Sequence, residues 1–172
     1  MKRPACMPDV NAAADDVVIR PATRADLPAL GRLGALLLRM HYEFDAERFI
    51  APAENVEDGY AWFLGTQLRE KDVAIFVAER GGEVLGYVYA GIEPHSWKEL
   101  RDEAGFIHDI VVDARGRRGG LASKLIERAI DWFRERGMPR VVLWTAERND
   151  PAQRLFTALA FRRTMIEMTR EL

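Results

Sequence analysis

The chain has 172 residues, a formal net charge of −2, 48% hydrophobic residues, 30% charged residues and a single cysteine, Cys6. That composition fits one ordinary hydrophobic core; near-neutral charge gives no global field for nucleic acid, and no apolar run nears the roughly 18 residues of a membrane span. One cysteine allows neither an intrachain disulfide nor a cysteine-based zinc site, and Lys2 and Arg3 are not followed by the apolar stretch of a signal peptide, so the expected compartment is the cytoplasm, with no membrane and no nucleic-acid partner.

Residues 1–16 hold Pro4, Pro8, an alanine run and Asp15-Asp16 without periodicity, and are expected as a flexible N-terminal tail. Residues 17–172 are expected to form a single domain. A short strand is expected over Val17–Arg20. Thr23 followed by Asp26 marks a helix start, with Pro28 in the first turn. Leu27, Leu30, Leu33, Leu37, Leu38 and His41 then keep helical spacing. A second helix over Val56–Leu68 carries Tyr60, Trp62, Phe63 and Leu64. Val73–Ala78 and Glu83–Ile92 read as strands joined by a hairpin at Gly81-Gly82. Pro94–Asp102 is a loop with His95 and Trp97, and Gly105–Val112 is a further strand.

Val112–Ile126 reads V-D-A-R-G-R-R-G-G-L-A-S-K-L-I. An apolar strand runs into an arginine- and glycine-rich turn, and an amphipathic helix starts near Leu121. Glycine lets the backbone approach a ligand closely, and a helix start offers unpaired N–H groups and the positive end of its dipole. With Arg115, Arg117 and Arg118 alongside, the segment suits a phosphorylated ligand. Two other readings stay open for the turn alone: a basic surface turn capping a helix, and an RNA-contacting loop. The helix buries Leu121, Leu125, Ile126, Ala129, Ile130 and Phe133 and stops near Gly137 and Pro139. Val141–Thr145 is a strand, Pro151–Leu159 a helix, and Phe161–Met168 a last strand.

Arg117-x-x-Gly120-x-Ala122 resembles the R/Q-x-x-G-x-G/A pattern of the GNAT superfamily of acyl-CoA N-acyltransferases. About thirty residues on, Asn149-x-x-Ala152-x-x-Leu155-Phe156-x-x-x-Ala160-Phe161 is similar to that family's second motif, N-x-x-A-x-x-L/F-Y-x-x-x-G-F. The element order β-α-α-β-β-β-α-β-α-β is also the family's. The resemblance implies an α/β (α+β) fold whose central mixed, mostly antiparallel sheet splays between two parallel strands, here near Ile110 and Val141.

The resemblance further implies acetyl-CoA as cosubstrate and no metal. Its pantetheine arm would pair with the backbone of Ile110, Val111 and Val112, and its pyrophosphate would sit on the amides of Arg117, Arg118, Gly119, Gly120, Leu121, Ala122 and Ser123. Asn149, Ala152 and Phe156 would flank the arm, although Asn149 also suits a helix N-cap. The backbone N–H near Val111 would hold the oxyanion.

His108 stands where many relatives carry a catalytic Glu, and imidazole titrates near ~6.5, which suits a general base. The alternative is a structural histidine at a strand edge. Asp109 follows; regular alternation would turn it to the opposite face unless a bulge intervenes. His41, Tyr42, Glu43, Asp45 and Trp97 would line the acceptor site, or else form a solvated helix end over an aromatic core. His95 is expected on the loop surface.

The chain departs from the family at Phe156, where relatives have a general-acid Tyr. A thiolate of pKa ~8.5 leaving unprotonated at pH 7 costs about 2 kcal/mol, a slowing and not a block. Tyr87, Tyr89 or water is the expected substitute. Ala160 in place of Gly implies an altered helix end. The expected function is therefore N-acetyl transfer to the primary amine of a small cationic molecule. Alternative acceptors are a protein N-terminus or lysine, and the alternative role is a non-catalytic acyl-CoA sensor. A homodimer is the assembly that the resemblance suggests.

Overall fold

The computed structural model describes residues 17–172, so the expected tail, with Cys6, lies outside the described residues. Five strands form one sheet in the order β1 (Val18–Pro21), β2 (Val73–Arg80), β3 (Glu83–Glu93), β4 (Ala104–Val112) and β5 (Val141–Leu143). The first four are antiparallel neighbours, and β4 and β5 run parallel. The helices are α1 (Leu27–Phe44), α2 (Val56–Gln67), α3 (Leu121–Glu135) and α4 (Asp150–Ala158). None of the described helices is long and apolar enough to cross a membrane.

Alternation along β2 divides the interior. Ile75 and Val77 join Leu30, Leu33, Leu37 and Leu64 beneath α1 and α2, whereas Phe76 and Ala78 join Leu121, Leu125, Ile126 and Phe133 beneath α3. The sheet therefore has a helical layer on each face. Trp132 belongs to the second core at 5% exposure; the expected Ile130 only packs against its margin.

Asp26 ties β1 to the start of α1. Its carboxylate accepts from Thr23 N–H at 2.7 Å and from Arg20 Nη1 and Nη2 at 2.8 Å each. These donors, Arg20 first, hold it down at about 2. The expected capping pair of Thr23 and Asp26 is thus present, with Arg20 as its counter-ion.

The last expected strand is absent. Beyond α4 the chain has no ladder partner, and it touches the body through surface ion pairs, Arg163 with Glu147 and Arg48 with Glu167. Met165, Ile166 and Met168 stay exposed. A segment becomes a strand only by pairing with a free edge, and β5 is just three residues long.

The end of α4 also differs from expectation. Phe161 N–H bonds to Phe156 C=O at 2.9 Å and Ala160 N–H to Thr157 C=O at 3.0 Å, a Schellman closure. The Phe156 and Phe161 rings meet at 6.0 Å over it. The geometry usual for glycine is retained, with Ala160 at φ 64°. A left-handed Ala costs about 1–2 kcal/mol, partly offset by the lower unfolded-state entropy of Ala. Ala160→Gly should therefore raise unfolding free energy by about 0.5–1 kcal/mol. Urea denaturation measures it, and a lowered midpoint would contradict this account of the helix end.

Candidate functional site

Strand β4 carries the candidate chemistry, and its pairing with β3 slips once. Tyr89 faces Asp109 while Ala90 faces Ile107, which leaves His108 as the extra residue of a β-bulge. The bulge changes which side chains share a face. Asp109 accepts a hydrogen bond from Tyr87 at 2.9 Å, and the His108 ring lies 4.7 Å from that of Tyr89. Tyr87 and Tyr89 are two apart on β3 and project to the same side. His108 and Asp109 therefore both face α1 and α2, against the expectation from regular alternation. Ile107 and Ile110 on either side pack toward α3.

Burial governs Asp109. Desolvation raises its carboxyl to about 6, against the opposing pull of the Tyr87 hydrogen bond, His41 and Tyr60. Tyr60 gets there because Gly34 stands opposite it. A Cβ on Gly34 would come within 2.0 Å of Tyr60 Cδ1, so only glycine admits the ring. Tyr87 is fully buried, and burial beside Asp109 pushes its phenol well up. Tyr89 donates to Gln67 Oε1 at 2.9 Å, and burial lifts its phenol to about 12.

His108 is held on three sides. Phe106 stacks on it at 4.9 Å and Tyr89 at 4.7 Å, and Glu93 Oε1 lies 3.0 Å from Nε2. Gly91 leaves it room, since a Cβ there would come within 3.1 Å of Nε2. Burial lowers the imidazole pKa, and Glu93 partly restores it.

The parallel pair opens at this point. Gly105, Phe106 and Ile107 pair with Val141, Val142 and Leu143, and β4 then continues to Val112 paired with β3 only. The split starts at His108; Val141, expected at the split, is still paired. The β4 edge at Ile110, Val111 and Val112 has no β5 neighbour. Trp144 follows β5, 71% exposed, with its ring 5.2 Å from Phe106.

At the far end of β4 lies the arginine-glycine turn. Arg118 and Gly120 take φ of 66° and 69°. Left-handed backbone at a non-glycine residue is strain of the kind stored at ligand sites. Gly120 caps α3 with no side-chain hydrogen bond, and a Cβ on it would meet nothing within 4 Å. The first amides of α3, at Leu121, Ala122 and Ser123, have no partner within the helix and receive no side-chain cap from Gly120.

Arg115 does not serve this turn. It is bound to Asp113 and Glu83, and Arg32 also pairs with Asp113. Arg80 takes its place. Its Nη2 lies 3.5 Å from where a Cβ on Gly119 would sit, and its Nε is buried without a partner. An unpartnered guanidinium N–H beside the start of a helix fits a pyrophosphate.

The other expected residues are spread more widely. Asn149 Oδ1 accepts from Ala152 N–H at 3.3 Å and so caps α4. Phe156 is 6% exposed, inside the α3-side core. His41 Nδ1 lies 2.9 Å from Leu37 C=O; the carbonyl can only accept, so Nδ1 carries the hydrogen. The His41 ring packs on Phe44 and Phe49. Asp45 turns its carboxylate onto the amides of Glu47 and Arg48. Glu43 is exposed and Tyr42 half-buried. Trp97 is 83% exposed and His95 contacts it on the loop between β3 and β4.

Sequence reasoning missed Glu93, Arg80 and Trp144. Glu93 and His108 meet only through strand register across the bulge, which no local pattern displays. Arg80, beside the hairpin glycines, carries no signal of its distance from Gly119.

The Acetyltransferase (GNAT) family model matches residues 37–161. Mycothiol acetyltransferase from Thermomonospora curvata is 31% identical over 123 residues, 67% of this chain and 38% of that protein. An uncharacterized N-acetyltransferase from Archaeoglobus fulgidus is 32% identical over 109 residues, 63% of this chain and 71% of that one. The chain thus spans well under half the length of the mycothiol acetyltransferase that it matches. Among solved structures, aminoglycoside N-acetyltransferase AAC(6')-Iy in complex with CoA superposes with a TM-score of 0.71 at 18% identity, over 97% of this chain and 99% of that one. Sheet order, the opening between β4 and β5 and the match over most of the chain agree: this chain belongs to the Acetyltransferase (GNAT) family.

Proposed function

We propose that the protein transfers an acetyl group from acetyl-CoA to the primary amine of a small cationic molecule. The observation that carries this reading is the β4 bulge, which turns His108 and Asp109 together toward one face where the parallel strands part. The anion-binding turn at the other end of the same opening supports acetyl-CoA as the donor. Arg80, Arg117 and Arg118 would face its pyrophosphate, and the free β4 edge at Ile110, Val111 and Val112 would pair with its pantetheine arm. The name of one relative, a mycothiol acetyltransferase, supports a small acceptor.

In this mechanism the acceptor arrives as an ammonium ion of pKa near ~10.4 and must lose a proton to attack. His108 takes that proton. The amine nitrogen then bonds to the thioester carbon, the backbone N–H near Val111 holds the oxyanion, and the carbon–sulfur bond breaks. Sulfur leaves as thiolate, and the second proton of the attacking nitrogen, lost as the amide forms, reaches that sulfur through water. Neither neighbouring phenol is the donor, because Tyr87 is fully buried against Asp109 and Tyr89 is bonded to Gln67. Asp109 supplies negative charge on the acceptor side. A non-catalytic acyl-CoA sensor is the competing reading, favoured by Phe156 standing in the core where relatives place an acid.

Acetyl-CoA should raise Tm, with about 2.7 kcal/mol of added stability at 100 times its Kd, and ATP and NADH should do much less. An equal shift with ATP would contradict the assignment of the turn. His108→Ala should lower kcat by roughly 10²–10⁴-fold with little change in acetyl-CoA affinity. Thiol release with a panel of amines measures it, and wild-type turnover would show that His108 is structural. Release with none of the amines, together with tight acetyl-CoA binding, would favour the sensor.

The pH dependence has a defined sign. The base must be neutral, and burial lowers the His108 pKa, so kcat/KM should hold to below the usual ~6.5 and fall only in more acid solution. Asp109, near 6, loses its charge over the same acid range. A pH–rate profile whose acid limb lies above neutrality would contradict this arrangement.

A further inference from the structure

Glu93 is the last residue of β3, three positions before Ser96 in the loop that leads to β4. Its side chain is 37% exposed, more open than that of His108 at 27%. Its Oε1 lies 3.0 Å from His108 Nε2. An ionised carboxylate can only accept, so the hydrogen of this bond sits on Nε2. The lone pair is then on Nδ1. Phe106 and Tyr89 clamp the ring faces, which removes rotation of the imidazole as an alternative way of presenting either nitrogen. Only the ring's hydrogen placement is left to be chosen, and Glu93 is the group that chooses it.

We infer that Glu93 is a positioning residue, which fixes His108 in the Nε2–H tautomer, reserves Nδ1 for the acceptor amine and stabilises the imidazolium that forms. This rests on His108 being the base. Other charged or titratable groups near the ring do not duplicate the role. Tyr89 presents its ring and bonds to Gln67, and Asp109 is taken by Tyr87. His41 is bonded to Leu37. Arg101 lies 6.0 Å from the Phe106 ring, paired with Glu99, and donates to backbone carbonyls including that of Glu93 at 3.5 Å. The bulge and Gly91 are what allow the contact, because together they bring the imidazole over the end of β3.

The test compares Glu93→Gln with Glu93→Ala in the full chain. The Gln side-chain oxygen still accepts the ring N–H but carries no charge; Ala removes both. Nitrogen NMR of the imidazole in the free protein should show one tautomer in wild type and Glu93→Gln, and a mixture in Glu93→Ala. For thiol release, kcat should fall in Glu93→Gln and further in Glu93→Ala, by roughly 10- to 100-fold for the latter, the usual weight of a hydrogen bond to a charged group. KM for acetyl-CoA should not change. The acid limb of kcat/KM should move to lower pH in both variants, because the carboxylate that favours the charged ring is gone. A single Nε2–H tautomer in Glu93→Ala, or wild-type kcat in that variant, overturns the inference. His108→Ala separates the two failures: if it turns over like wild type, the base assignment is wrong, whereas an inactive His108→Ala beside a fully active Glu93→Ala sinks Glu93 alone.

Discussion

One extra residue in β4 sets the geometry of the whole candidate site. A regular strand would place His108 and Asp109 on opposite faces of the sheet. The bulge at His108 turns both toward α1 and α2, and it does so at the first position beyond the last β4–β5 pair. The two consequences depend on each other. A bulge is least costly where a ladder is already ending, and an opening between parallel strands is useful only if reactive groups look into it. Gly34 and Gly91 complete the arrangement from neighbouring elements, by giving way to Tyr60 and to the His108 ring.

Electrostatics divides the opening into two ends. One end, the proposed acceptor end, collects Asp109, Glu93 and His108, with burial raising the carboxyl and lowering the imidazole. The turn end collects Arg80, Arg117 and Arg118. Nearby acidic groups do not neutralise this end, because Asp113 and Glu83 are occupied by Arg32 and Arg115 and Glu79 by Arg20. The proposed reading uses this polarity, with a phosphorylated donor at the positive end and a cationic acceptor at the negative end.

The second motif makes structural contacts along α4. Asn149 caps α4, Phe156 fills the core, and Ala160 adopts a backbone conformation that glycine would take without strain. Phe156 and Phe161 close the helix end through their rings as well as through the Schellman hydrogen bonds. Phenylalanine suits the burial at position 156, since a hydroxyl at a 6% exposed site needs a partner that phenylalanine does not.

By itself the sequence determined the element order through α4, the helical faces, the hairpin at Gly81-Gly82 and the strand–turn–helix that carries the glycines. These follow from local periodicity and turn chemistry, which act over a few residues. It also singled out His108 and Asp109, and left open which way each would point. Tertiary structure decided that, because the bulge is a property of the β3–β4 register and not of β4 alone. The same reason explains the contacts of Glu93 with His108 and of Arg80 beside Gly119, which join residues far apart in the chain. It also explains the missing last strand: whether Phe161–Met168 pairs depends on a free edge that local sequence does not contain.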